Sequence, residues 1–268
     1  MKLSVLISAD LIFLLLNSVS ALFSGPLRIA LSVLAHLVAA LAVLIYAKIN
    51  ALSVAPRLPD RRFLYTLPVV FPSVALIFLL SYLTSLLLAL FGAVPTGGLS
   101  GNLGYDLAVS ALLPALLEEL LFRYAPLRLL CGEHPRYVLF VSALLFALCH
   151  VDLFRIPYAF AAGLIFAALD IACGSVLPSV LLHFVNNALS ILWTYFFEGK
   201  YELLYLSLLG ALALISLFVL FLFRGKFRNL LSLFREKDDR KRGIHPVLLV
   251  FCAGMLFLSV FQFISTII

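Results

Sequence analysis

The run LLPALLEELLFR, Leu112 to Arg123, places two adjacent carboxylates, Glu118 and Glu119, in a segment otherwise apolar enough to lie in a bilayer. Ionisable side chains in hydrocarbon are costly, face the bundle interior and mark function. Neighbouring helical residues sit about 100° apart, so the two glutamates address different partners. Glu119 and Arg123 stand at i and i+4, on one face and within pairing reach. Glu118 has no cation at that spacing in the sequence, which makes it the candidate base. The competing structural account bonds both carboxylates to backbone or to polar side chains of other helices. Intramembrane carboxylates are functional by default, so the run favours function.

Composition sets the class around this run. The 268 residues are 64% hydrophobic and 12% charged, against roughly 45–50% and 25% in soluble domains. The expected fold is all-α, a polytopic transmembrane helical bundle of about eight or nine spans, with residues 1–268 forming a single membrane domain. The net charge of +6 is no nucleic-acid signature, because the cations sit in loops, where they orient a membrane protein. Cys131, Cys149, Cys173 and Cys252 show neither metal-ligand spacing nor a disulfide framework, and read as small apolar residues.

Residues 1–23 can be read as a signal peptide or as a first span. Asp10 and Asn17 interrupt the apolar run and favour the span. Further spans are expected at 26–46, 63–91 with a kink at Pro68 and Pro72, 105–130, 137–151, 156–173, 176–197, 201–223 and 247–268. The fifth is short, since a span takes about 20 residues. Polar or flexible connections are expected at 48–62, 92–104 and 224–243, with a tight turn at 132–136. Threading these spans from a cytoplasmic N-terminus puts Lys2, the cations of 48–62, Arg128, Arg136 and those of 224–242 on one side. Only Arg28, Arg155 and Lys200 fall on the other, the asymmetry of the positive-inside rule. The 224–242 segment reads as a solvated loop meeting anionic head groups. No internal repeat is visible.

Two other helices carry polar groups. His150 ends the fifth in FALCH, with Phe146 four residues earlier; His183 and Asn187 share a face of the seventh in HFVNN. Asn186 is one position round and is the weaker candidate. A lone histidine in an apolar helix is usually structural; two, with an asparagine and two carboxylates, are harder to dismiss. At about 1.5 Å per residue, Glu118 is roughly 20 Å and His150 roughly 25 Å above the Gly132 turn. His183 and Asn187 are about 12 Å and about 18 Å from the start of their helix near Ser175. All four are therefore expected at mid-bilayer depth.

A carboxylate beside a histidine can activate water, and a second histidine with an amide can donate to a developing oxyanion. Together they suit amide hydrolysis. Glu118, His150 and His183 are equally ligands of the kind zinc accepts, although there is no HExxH run. No serine or cysteine is spaced to a base as a covalent nucleophile would be.

The order EExxxR, FxxxH, HxxxN, each in its own hydrophobic helix, resembles the CPBP family, the CAAX protease and bacteriocin-processing (Abi) intramembrane endopeptidases. Glu118, Glu119 and Arg123 match the first motif, Phe146 and His150 the second, His183 and Asn187 the third, and GSVLPSVLLH before His183 is also similar. The resemblance covers about residues 105–197, which it marks as the catalytic core. It implies a cavity open to the cytosol, water activation by Glu118 with His150, an oxyanion site of His183 and Asn187, and support from Glu119 with Arg123. It implies a multi-pass protein of a prokaryotic cell membrane acting on a membrane-associated peptide or protein, with no nucleic-acid partner. It fixes no cofactor: a zinc or other divalent ion fits the two histidines and the carboxylate, and glutamate-type and metallo-type accounts both stand. Rival classes are a midplane proton or ion transporter, disfavoured by the missing repeat, and a non-catalytic immunity or scaffold protein.

The charge asymmetry has a direct check. In a background lacking the native cysteines, Arg235→Cys resists an impermeant thiol reagent applied to intact cells and Lys200→Cys reacts; the reverse pattern overturns the orientation.

Overall fold

The computed structural model describes residues 1–52, 61–90, 99–235 and 245–267. The expected connections at 48–62, 92–104 and 224–243 lie partly outside them, as does Ile268. Among the described residues every regular element is helical. In chain order these are α1 (Lys2–Ser20), α2 (Gly25–Ile49), α3 (Val70–Leu90), a segmented helix α4 over 103–129, α5 (Pro135–Leu148), α6 (Arg155–Cys173), α7 (Leu177–Phe196), α8 (Glu202–Leu222), the short α9 (Arg224–Leu230) and α10 (Pro246–Ile267).

Among the described residues six helices are long and apolar enough to cross a membrane: Lys2–Ser20, Gly25–Ile49, Arg62–Leu88, Arg155–Cys173, Glu202–Leu222 and Pro246–Ser265. The chain is thus a multi-pass integral membrane protein. The expected eight or nine spans also counted α4, α5 and α7, which fall outside that set. α4 is broken into short segments, α5 has only 14 residues, and His183, Asn186 and Asn187 hold down the apolarity of α7. Polarity is inverted relative to a water-soluble core: Arg123 is 0% exposed whereas Phe257 is 70% exposed, the distribution expected when lipid is the solvent.

The described helices fall into two compact units. The first takes Met1–Pro56, Leu117–Leu164 and Glu236–Ile268; the second takes Arg57–Leu116 and Ile165–Arg235. In the first, α1 and α2 pack as a hairpin. Asn17, one of the two polar residues that argued against a signal peptide, is used inside it. The Asn17 side-chain oxygen accepts from the Ser32 hydroxyl at 3.0 Å, and Phe13 packs on the His36 ring with centroids 4.4 Å apart. In the second, Phe78, Trp193, Phe197 and Tyr205 form an aromatic cluster linking α3, α7 and α8. Each such aromatic pair is worth about 0.5–1.5 kcal/mol beyond its area. The expected kink near Pro68 and Pro72 takes the form of 3₁₀ turns through Val69, after which α3 begins at Val70. Pro72 then lies in the first turn, where no intrahelical N–H is needed.

The turn at 132–136 is where the sequence places it, with Gly132 at φ 81°, a conformation that costs glycine little. It returns the chain into α5, which runs against α6 in the first unit. A Cβ built on Gly163 would stand 3.0 Å from the Ala143 Cα and 3.1 Å from its Cβ. Small residues allow such backbone approach between membrane helices. Gly163→Val forces the two apart and is expected to destabilise the fold by about 1–3 kcal/mol. A lowered unfolding midpoint in detergent checks this; an unchanged midpoint would deny the close contact any weight.

Candidate active site

α4 is not a uniform α-helix. Its α-helical segments, Leu103–Asp106, Leu113–Glu119 and Ala125–Leu129, alternate with π-helical turns at Leu107–Leu112 and Leu120–Tyr124. π turns are rare and cluster at functional sites. Here they flank the seven-residue segment that carries Glu118 and Glu119. Two prolines bear on the irregularity. Pro114 and Pro126 have no N–H to offer the carbonyls four residues back, those of Ser110 and Phe122. The Phe122 carbonyl is taken instead by the Ser142 hydroxyl of α5, which donates at 2.5 Å.

Glu119 and Arg123 keep their pairing across the π turn. Arg123 Nε lies 3.4 Å from Glu119 Oε2, and both side chains are fully buried. The guanidinium also lies over the Phe146 ring, 4.3 Å from its centroid, a cation–π contact strengthened by desolvation. Phe146 is packed edge-on against Phe122, 5.7 Å between centroids, and against His150, 4.9 Å. Glu119, Arg123, Phe146 and His150 are thus joined by successive contacts within the first unit.

The expectation that His150 ends the fifth helix needs correcting. α5 stops at Leu148, and His150 lies in the turn beyond it. The His150 N–H donates to the Ala147 carbonyl at 3.3 Å. Its ring Nδ1 is 2.8 Å from the Phe146 carbonyl, one of the carbonyls that a helix C-terminus leaves without an intrahelical donor. The next residue, Val151, adopts φ 50°, a costly conformation for a β-branched residue and one found at constrained functional positions. Asp152 then caps the start of α6, accepting from the Phe154 and Arg155 amides at 3.0 and 3.2 Å. Glu118 is half-buried in the same unit.

His183 and Asn187 belong to the second unit, on α7. The His183 ring is buried against Phe166, centroids 5.6 Å apart and planes at 35°. Asn186 donates from Nδ2 to Asn187 Oδ1 at 3.3 Å. Among the described residues no group of three or more His, Cys, Asp or Glu side chains is arranged to hold a metal ion.

Residues 100–189 match the model of the family described as type II CAAX prenyl endopeptidase Rce1-like. Residues 100–189 are thus similar to the CAAX protease (CPBP) family, the one that the three motifs resemble. The match begins in the Ser100–Asn102 turn and ends two residues after Asn187, so it takes in every candidate site residue. No curated protein and no solved structure matches the chain. The match supports, at family level, a CAAX-type intramembrane protease.

Sequence reasoning missed the π turns, and it takes Asp170 only as a residue that caps or pairs locally. The signal for the first was present in Pro114 and Pro126. Asp170 caps a helix distant enough in sequence that no spacing rule reveals it.

The buried pair makes a sharp prediction. Glu119→Gln removes the negative charge beside a buried guanidinium and is expected to cost about 3–5 kcal/mol. Thermal unfolding of the detergent-purified variant reads this as a large drop, and an unchanged midpoint would assign the pair no structural weight.

Proposed function

We propose that this protein is an intramembrane endopeptidase that hydrolyses a peptide bond of a membrane-associated peptide or protein. Glu118 and His150 activate the water, while His183 and Asn187 donate to the oxyanion. The observation that carries this reading is the 2.8 Å contact of His150 Nδ1 with the Phe146 carbonyl. A carbonyl can only accept, so Nδ1 holds the hydrogen, and the neutral ring keeps its lone pair on Nε2. An imidazole nitrogen so oriented is suited to hold one water while a carboxylate takes its proton.

The steps then balance. The water oxygen attacks the carbonyl carbon as Glu118 takes its proton. The carbonyl π electrons move onto oxygen, where the His183 and Asn187 donors stabilise the charge. The C–N bond breaks as the proton on Glu118, directly or through His150, passes to the leaving nitrogen. Carboxylate and amine products result. Glu119 and Arg123 take no chemical step; their pair and Phe146 hold the His150 turn against α4. No step is routed through a metal. The same reading puts the chain in a prokaryotic cell membrane with its N-terminus in the cytosol, and has the 103–129, 135–148 and 177–196 segments cross the bilayer beside the six apolar helices.

Cleavage of membrane peptides by purified protein, including a prenylated CAAX peptide, tests the reading. Glu118→Gln is expected to abolish turnover at native thermal stability; wild-type turnover by that variant would remove Glu118 as the base. A chelator is expected to leave turnover unchanged. Loss with chelator and recovery with zinc would make the mechanism metallo-type, with Glu118, His150 and His183 as the ligands to examine.

A further inference from the structure

We propose that Asp170 is a positioning residue for His183, a proposal that rests on the oxyanion role given to His183 above. Asp170 is fully buried one turn from the end of α6. Its Oδ1 accepts from the Ser179 N–H at 3.0 Å, in the first turn of α7. Its backbone carbonyl accepts from the Gly174 and Ser175 amides at 2.7 and 3.2 Å. One residue therefore ties down both the exit from α6 and the entry to α7.

Helix starts leave their first amides without intrahelical partners and fray unless side chains satisfy them. In α7 each early amide is accounted for. Leu177 N–H goes to Ser175 Oγ at 3.3 Å, Pro178 has none to satisfy, and Ser179 N–H goes to Asp170. Ser179 lies four residues before His183, so it sits on the turn directly beneath the imidazole. Phe166, four residues before Asp170 on the same face of α6, packs on the His183 ring itself. α6 thus grips α7 twice, once at the backbone under His183 and once at its ring. The far end of α7 has a separate anchor, where Tyr195 Oη donates to Asp106 Oδ2 at 2.5 Å. That bond lies about three turns beyond His183.

The test uses the full chain in detergent. In Asp170→Ala, amides across 177–187 exchange hydrogen faster than in the wild type. His183, 6% exposed in the native fold, is modified faster by diethyl pyrocarbonate, read by peptide mapping. kcat falls, by up to about 10²-fold for a displacement near 1 Å, while KM changes little. Asp170→Asn, whose Oδ1 can still accept from Ser179, restores all three. Tyr195→Phe lowers the unfolding midpoint but leaves the exchange at 177–187 and the His183 labelling as they were. Wild-type exchange and labelling in Asp170→Ala would overturn the proposal. So would an Asp170→Asn variant no better than alanine, which would make charge rather than the acceptor the operative feature. If Asp170→Ala does not fold, Asp170→Ser, which withdraws the acceptor but keeps a polar side chain, carries the same comparison. An unchanged kcat in His183→Ala would instead sink the oxyanion reading, and exchange and labelling would still decide whether Asp170 places the imidazole.

Discussion

A fully buried guanidinium sets the terms for the rest of the first unit. An ion of that size loses several kcal/mol of solvation on leaving water, even after relaxation. Arg123 recovers part of this from Glu119 at 3.4 Å and part from the face of Phe146. Both partners must then be rigid, because a charge pair held loosely in low dielectric gains little. Phe146 is fixed by Phe122 on one side and His150 on the other. The cation thus ties α4 to the end of α5, beside the His150 turn.

The irregular backbone of α4 serves the same end. A regular helix would give Phe122 a donor at position 126, but position 126 is proline. The orphaned carbonyl recruits Ser142 from α5, so a local defect becomes an interhelical bond. In hydrocarbon such a carbonyl has no water to fall back on, and leaving it unmade would cost about 1–3 kcal/mol. The defect at Pro126 and the ion pair at Arg123 therefore reinforce one contact, between the inner end of α4 and the middle of α5.

Most of the helices were legible from apolar runs, as were the ion pair from its i, i+4 spacing and the family from three spaced motifs. What escaped follows from the limits of periodicity. His150 satisfies the i, i+4 pattern with Phe146 whether the chain there is helix or turn, so spacing cannot show that α5 has already ended. The π turns keep the same sequence while changing the hydrogen-bond register, and only the prolines hint at them. Asp170 acts on Ser179 across a chain reversal, a contact set by the Gly174 turn rather than by any repeat. Six of the expected spans stand out by length and apolarity among the described residues. The helices that carry the three motifs are the ones whose polar residues, prolines or shortness take them out of the apolar class.

The end of a helix is what makes His150 usable. Inside α5 its ring would compete with packed neighbours, and the Phe146 carbonyl would already be bonded to the His150 amide. Because the helix stops two residues earlier, that amide turns to Ala147 and the carbonyl passes to Nδ1. One backbone oxygen then fixes ring orientation and tautomer together, without a second carboxylate to do so. The strained Val151 that follows keeps the chain from continuing the helix and reclaiming the carbonyl. Replacing that geometry by a regular turn would leave every motif residue in place and still return the Phe146 carbonyl to the backbone, so the motif alone does not define the histidine's chemistry; the termination of α5 does.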